Sequence, residues 1–323
     1  MSRPPRRFAA IVLCAAYGLA AAPLMADTYL DVEYAEHQPL AVHSMLLDVT
    51  RADQRLVAVG ERGHVVLSDD GREWVQAETV PTRSTLTTVF SFGGRLWAAG
   101  HDAVIITSGD RGNTWSRQFF DPERQQAVMD LYFTDEKNGV AIGSYGLYLV
   151  TSDGGQNWED GTVDEENQFH LNGMVRFADG RRVIAGEAGY SYRSQDDGET
   201  WEALDLPYPG SMWGALKTSK GCVVFFGLRG HVLESCDFGD SWAELPTRTE
   251  ASITGAAEHQ GMVVFVGNSG TVLTWAGRHL TEYKHSSGVD FAAALPLGGG
   301  LFLLVGEDGT HRFPEESGDG DGQ

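Results

Sequence analysis

The chain has 323 residues, 42% of them apolar and 21% charged, with 40 Gly and 11 Pro. This suits a folded protein with a sizeable core and excludes collagen-like, coiled-coil and disordered classes. Its 45 acidic residues outnumber 24 basic ones, for a formal net charge of −21; nucleic-acid binding needs Lys and Arg on phosphate and docking on anionic lipid needs a broad basic face, so both are excluded as general functions.

At the N-terminus Arg3, Arg6 and Arg7 precede an apolar run from Phe8 to Ala22, closed by Pro23-Leu24-Met25-Ala26 before Asp27. The run is shorter than the roughly 20 residues a spanning helix needs, so residues 1–26 are expected to be a secretory leader. Leu13 stands directly before Cys14, where a lipoprotein site would carry a small residue. Removing the leader takes three Arg and no acids, leaving −24. The mature chain is then placed in the periplasm or outside the cell, with no later segment apolar enough to span a bilayer.

From there a repeat governs the chain. A short apolar strand ending in Gly, two further residues, usually a second Gly and another apolar strand recur seven times. The first glycines are Gly60, Gly100, Gly143, Gly186, Gly227, Gly267 and Gly306, between 39 and 43 residues apart. The second are Gly63, Gly146, Gly189, Gly230, Gly270 and Gly309, with Ala103 the exception. Such turns read as hairpins in which Gly supplies a positive φ. In the first five copies a second signature follows, Ser/Thr-x-Asp-x-Gly-x-Thr-Trp or a variant, with its aspartates at Asp69, Asp110, Asp153, Asp196 and Asp237. Their expected role is structural: the carboxylate and the hydroxyl cap backbone donors inside the turn, Gly takes the left-handed position, and Trp packs at the next strand.

Each unit therefore reads as four short antiparallel strands that cannot bury both faces alone, and seven of them predict an all-β, seven-bladed β-propeller over residues 27–313. The last unit ends near Phe313, and the acidic, Gly-rich tail, residues 314–323, has no strand to give. Thr28 to Tyr34 alternates and precedes the first inner strand, so this N-terminal strand is expected to complete blade 7 and cover its open edge. Cys222 and Cys236 flank the Gly227–Gly230 turn. Counting outward places them opposite or one residue offset, within disulfide reach; a disulfide is the favoured reading and two separate thiols the alternative.

The wording of the third unit, Leu131-Tyr132-Phe133-Thr134-Asp135 through Gly139, Gly143, Gly146 and Thr151-Ser152-Asp153-Gly154-Gly155-Gln156-Asn157-Trp158, resembles the photosystem II stability/assembly factor family of Asp-box propellers. The resemblance extends over all seven repeats and is strongest in units 2 to 5. It implies a lumenal or periplasmic factor of photosynthesis that holds a membrane-protein subunit during assembly; relatives also occur in bacteria without photosystems. The family's assembly factors turn a basic Arg patch to their partner, whereas this chain is strongly acidic. The same Asp turn occurs in sialidases and other glycoside hydrolases, so a glycan-processing or glycan-binding propeller is the rival reading, with Asp164, Glu165, Glu166 and Asp290 as loop carboxylates. No Arg-Ile-Pro segment stands near the first blade.

Other chemistries lack their motifs: there is no Gly-x-Ser-x-Gly elbow, His-Glu-x-x-His helix, Gly-Lys-Ser/Thr phosphate loop or Cys-x-x-Cys set. No catalytic residue, metal or cofactor is expected. Loops on a rigid scaffold are where function varies, so a partner is expected on the face of the Gly-x-x-Gly turns. The residues read there for protein contact are Arg62, Arg83, Arg124, Tyr145, His170, Tyr208, Trp213, Arg229 and Arg248. The expected function is a non-catalytic periplasmic or secreted scaffold whose partner is a protein, a subunit of a membrane or envelope complex.

Overall fold

The structure, a computed structural model, describes residues 32–315. Among the described residues seven antiparallel sheets follow one another along the chain, six of four strands and a last one of three, each ordered as in sequence. Blade 1 is Leu46–Ala52, Arg55–Gly60, Val65–Ser68 and Val75–Gln76, and blade 7 is Phe291–Gly298, Leu301–Gly306 and Gly309–Phe313. The inner strands pack on one another in order, and Leu46–Ala52 meets Phe291–Gly298 to close the ring. No helix among the described residues is long and apolar enough to cross a membrane.

Why the second strand of each blade is a continuous apolar run follows from this packing. Its two faces lie against two different blades, so alternation between apolar and polar residues would bury charge. Leu56 and Ala58 pack with Leu303 and Val305 of blade 7, whereas Val57 and Val59 pack with Leu86 and Leu96 of blade 2. Similarly Trp97 and Ala99 of blade 2 face Leu131 and Phe133 of blade 3, with the Trp97 and Phe133 rings stacked 3.7 Å apart.

The Gly-x-x-Gly turns use their glycines differently from the expectation. The first glycine is extended, φ −170° at Gly60 and −176° at Gly143. It is glycine because a Cβ at Gly143 would lie 1.9 Å from the Ala127 carbonyl oxygen. Positive φ falls instead on the second glycine and on the non-glycine before it, as at Tyr145 (54°) and Gly146 (71°). This second glycine also ties the turn to the loop entering the next blade: the Gly146 N–H donates to the Phe169 carbonyl at 3.0 Å.

Every inner strand carries a bulge at the same place, one residue after its start. A bulge re-aims side chains, and here it sets ties between neighbouring blades. The bulge residues Thr87, Asn172 and Thr254 donate to the carbonyls of Val128, Met212 and Phe291 on the next inner strand. One residue further on, Asp48 accepts from the Val89 amide and Asp130 from the Met174 amide, both at 2.8 Å. Blade 7 is joined to blade 1 by Arg51 to the Pro296 carbonyl, 3.2 Å, and by Arg312 to the Gly71 carbonyl, 3.0 Å.

The expected closing strand, Thr28 to Tyr34, lies outside the described residues up to position 31, and residues 32–34 carry no strand. The segment after it runs along the outer edge of blade 1, where the Ala35 amide donates to the Val80 carbonyl at 2.9 Å and Gln38 to the Gln76 side chain at 3.0 Å. Blade 7 keeps three strands among the described residues, and side-chain packing against blade 1 completes the ring.

Candidate functional site: an aromatic rim over blades 3 to 5

The alternating strand directions give the ring two faces. One holds the Asp turns and the hairpins that follow the inner strands; the other holds the Gly-x-x-Gly turns and the loops leading into each blade.

On the first face the Asp-turn carboxylates are used up within their own turns, by hydroxyls and amides. Asp110 accepts from the Ser108 hydroxyl at 2.8 Å, the Thr114 amide at 3.0 Å and the Thr114 hydroxyl at 2.7 Å. Asp153, Asp196 and Asp237 repeat the pattern. The Thr200 and Ser241 side chains and amides hold Asp196 and Asp237 at about 2. In blade 1 the residue filling this role is Asp70, not Asp69. Asp70 accepts from the Ser68 hydroxyl at 3.1 Å and from the amides of Arg72 and Glu73 at 2.7 and 2.9 Å. Asp69 instead pairs through both oxygens with Arg55, at 2.8 and 3.0 Å. A cleft of about 680 Å³ opens here between blades 3 and 4. Its buried Arg182 is already spent on Asp197, 2.8 Å, and the Tyr148 hydroxyl, 3.0 Å.

Cys222 and Cys236 are joined as a disulfide. They sit directly across from each other because Val223 pairs with Ser235 one step further in. Among the described residues the grouping with metal-ligand geometry is this pair with Glu234, and the disulfide occupies both sulfurs.

The rival carboxylates are divided. Asp164 accepts from the Glu166 and Asn167 amides, the Asn167 side chain and the Tyr192 hydroxyl, and Asp290 accepts from Asn268 and the Ser269 amide. Both build their loops. Glu165 and Glu166 stand exposed.

On the second face the structure brings together some of the expected contact residues and separates others. Tyr145, 57% exposed in its left-handed turn position, meets His170 edge to face with ring centres 4.9 Å apart. The neighbouring Phe169 stacks on Tyr190 at 4.2 Å. The Ala188 amide then reaches the Ser211 hydroxyl at 3.1 Å, and Tyr208 of the same loop stacks on His231 at 3.6 Å. Trp213, two residues after Ser211, occupies the bulge position of blade 5; it carries no interblade tie of the Thr87 kind and is 40% exposed. The result is an arc of separate aromatic groups over blades 3, 4 and 5, with Arg229 exposed at its far end.

The remaining arginines lie elsewhere. Arg62 and Arg83 belong to the blade 1 side, and Arg83 pairs with Glu36. Arg124 is held by Asp121 at 2.8 Å and Asp160 at 2.6 Å. Arg248 lines a separate cleft of about 640 Å³ between the outer parts of blades 5 and 6, with Pro246, Arg278 and Leu280. Sequence reading missed Phe169, Tyr190 and His231. The signal was present: Tyr190 and His231 each directly follow the second glycine of a turn.

Residues 118–279, half of the chain, match the family model described as photosynthesis system II assembly factor YCF48. No curated protein matches the chain in sequence. A solved structure of YCF48 bound to D1 peptide is 18% identical, with a TM-score of 0.70 over 86% of this chain and 94% of that one. YCF48 from Cyanidioschyzon merolae is 17% identical, with a TM-score of 0.67 over 86% and 97%. A streptogramin B lyase is 11% identical with a TM-score of 0.72 over 87% and 96%, so at this level of identity the likeness speaks for the propeller and not for chemistry.

Proposed function

The chain belongs to the photosynthesis system II assembly factor YCF48 family, and from that premise we propose that it is a non-catalytic scaffold whose aromatic arc holds a segment of a protein partner. The partner is read as a subunit of a membrane or envelope complex, held during assembly or for stability outside the cytoplasm. The observation that carries the reading is the arc itself. Tyr145, Tyr190 and Trp213 are exposed on one face, with His170, Phe169 and Tyr208 half-buried beside them, and exposed aromatic residues on rigid backbone are what protein interfaces are built from. In support, a family member has been solved with a bound peptide. The Asp-turn carboxylates that the chain shares with glycosidases are saturated by hydrogen bonds, and two of the four rival carboxylates build loops. Placement in the periplasm rests on the expected leader and on the Cys222–Cys236 disulfide, which suits an oxidising compartment.

The test is capture from the native envelope fraction with the leaderless protein as bait, repeated with Trp213→Ala and Tyr145→Ala. A stable protein partner retained by the parent and lost by both variants is expected. Equal capture by all three, or hydrolysis of a glycoside panel, would turn the reading over.

A further inference from the structure

The chemistry of the segment held on the arc can be read from what surrounds its rings, an inference that rests on the binding role proposed above. Along blades 3 to 5 the loops that carry the aromatics also carry carboxylates. Glu165 and Glu166 are exposed just before Phe169, Glu187 lies in the turn between Phe169 and Tyr190, and Asp205 is exposed just before Tyr208. Glu187 is anchored through the His170 amide at 3.2 Å, which fixes an acid beside the Tyr145–His170 pair. Against these stand Arg229 and, in the loop leaving blade 5, Arg248, on a chain whose net charge is −21. Arg83 and Arg124 lie away from the arc and are paired with Glu36 and with Asp121 and Asp160.

Trp213 adds a second, independent feature. In blades 2, 4 and 6 the bulge position holds Thr87, Asn172 and Thr254, each spending its polar group on the next blade. Blade 5 places there an indole with no such hydrogen bond and with 40% of its surface in water. Blades 1, 3 and 7 place Leu47, Met129 and Ala292 at the bulge, also without such a tie, and of the seven bulge residues Trp213 is the exposed one. What it turns to solvent is part of an apolar, electron-rich ring.

We propose that the arc selects an extended cationic segment with interspersed apolar residues. Lys or Arg side chains lie over Tyr145 and Trp213 and against Glu165, Glu166, Glu187 and Asp205, and apolar side chains cover the rest of the rings. Cation–π contact and charge complementarity act in the same direction on such a segment, and an acidic segment meets like charge along the loops of Glu165, Glu166, Glu187 and Asp205. Affinity for the right segment falls with added salt, because the carboxylates are solvent-exposed and screened.

The experiment measures binding of three unstructured probes to the leaderless protein by calorimetry and labelled-peptide anisotropy: a Lys- and Leu-rich peptide, its Glu-for-Lys counterpart and its Gln-for-Lys counterpart. The Lys peptide is expected to bind and the Glu peptide not. Trp213→Ala is expected to weaken the Lys peptide by about tenfold or more, and Glu165→Gln with Glu166→Gln and Asp205→Asn to weaken it and flatten its salt dependence. Near-ultraviolet circular dichroism checks that the variants remain folded, and all four substituted side chains are exposed. Preference for the Glu peptide, lost on Arg229→Ala, overturns the cationic assignment and leaves the binding role standing. No binding of the Lys peptide also overturns it. If envelope capture yields no partner either, the binding role falls with it.

Discussion

Asp48, on the inner strand of blade 1, accepts a 2.8 Å hydrogen bond from the backbone N–H of Val89 on the inner strand of blade 2. Asp130 repeats the contact between blades 3 and 4. These strands are the inner edges of their sheets, with amides that no further strand can take up. A short carboxyl reaching sideways satisfies one of them and fixes the angle between two blades. The cost is electrostatic. Protein encloses both groups although each retains some accessible surface. Burial raises Asp48 to about 6 against the pull of the Val89 and Val49 amides. Burial raises Asp130 to about 7, with the charge of Asp48 adding to the effect.

That shift fixes a pH dependence. A carboxyl whose folded pKa lies above its unfolded value near 3.8 favours the fold fully below that value, and the contribution is lost as pH rises through about 6 for Asp48 and about 7 for Asp130. Asp130→Asn keeps an acceptor for the Met174 amide and cannot ionise. It is expected to exceed the parent in stability at about pH 8 by on the order of 1–3 kcal/mol, with the gain shrinking toward pH 4. Urea unfolding at both pH values reads this directly; a gain that is the same at both, or a loss at pH 8, contradicts the assignment.

In the Asp turns each carboxylate replaces backbone partners that the tight turn cannot supply. Asp110→Ala removes acceptors from two hydroxyls and an amide and is expected to cost about 1–3 kcal/mol. The blade 1 turn offers a sharper comparison. Asp70→Ala should destabilise more than Asp69→Ala, since only Asp70 bonds the turn's own amides. Thermal unfolding of the two variants side by side decides it, and the reverse order would return the turn role to Asp69.

Asp69 and Asp70 mark where residue spacing stops specifying the turn. The seven units, their phase and the two facing cysteines were readable because they follow from spacing along one strand pair. In blade 1 the turn is one residue shorter between Ser68 and Gly71 than between Ser108 and Gly112. Counting back from Gly71 and Trp74 therefore lands on Asp69. The interblade ties were invisible for a different reason. Asp48 and Val89, or Asp130 and Met174, are more than 40 residues apart, and their meeting depends on ring geometry and on a bulge that has no residue signature. The rim was half legible: Tyr145, His170, Tyr208 and Trp213 stood out as aromatic loop residues, but which neighbours they touch is set by the loop paths. Arginines read as free contacts proved to need partners of their own, Arg83 with Glu36 and Arg124 with Asp121 and Asp160.

The Cys222–Cys236 disulfide closes a short loop, with a sequence separation of 14. Cross-links of that span contribute about 3 kcal/mol through the unfolded chain. Cys222→Ser with Cys236→Ser is expected to lower stability by about 2–3 kcal/mol while leaving the rim contacts in place, because the bond lies at the opposite end of the blade from the Gly227–Gly230 turn. Unfolding of the parent in the presence of a reductant should match the double variant. A parent indifferent to reductant would mean that the two sulfurs are not joined in solution.

The two kinds of position in the Gly-x-x-Gly turn predict opposite responses in one blade. At Gly143 the backbone is extended, which any residue adopts, yet a Cβ would sit 1.9 Å from the Ala127 carbonyl oxygen and 3.0 Å from the Val128 Cα. Neither is a side chain that can swing away. Gly143→Ala is therefore expected to destabilise by about 1–3 kcal/mol through overpacking. Two residues later Tyr145 holds φ 54° with its ring in solvent. Tyr145→Gly relieves the left-handed cost borne by a residue with a Cβ, about 1 kcal/mol, and removes one ring of the arc. The variant should be at least as stable as the parent and bind the partner more weakly. Chemical unfolding paired with the capture assay separates the effects: a Tyr145→Gly protein that loses both stability and binding would place the tyrosine in the scaffold and not on the contact surface.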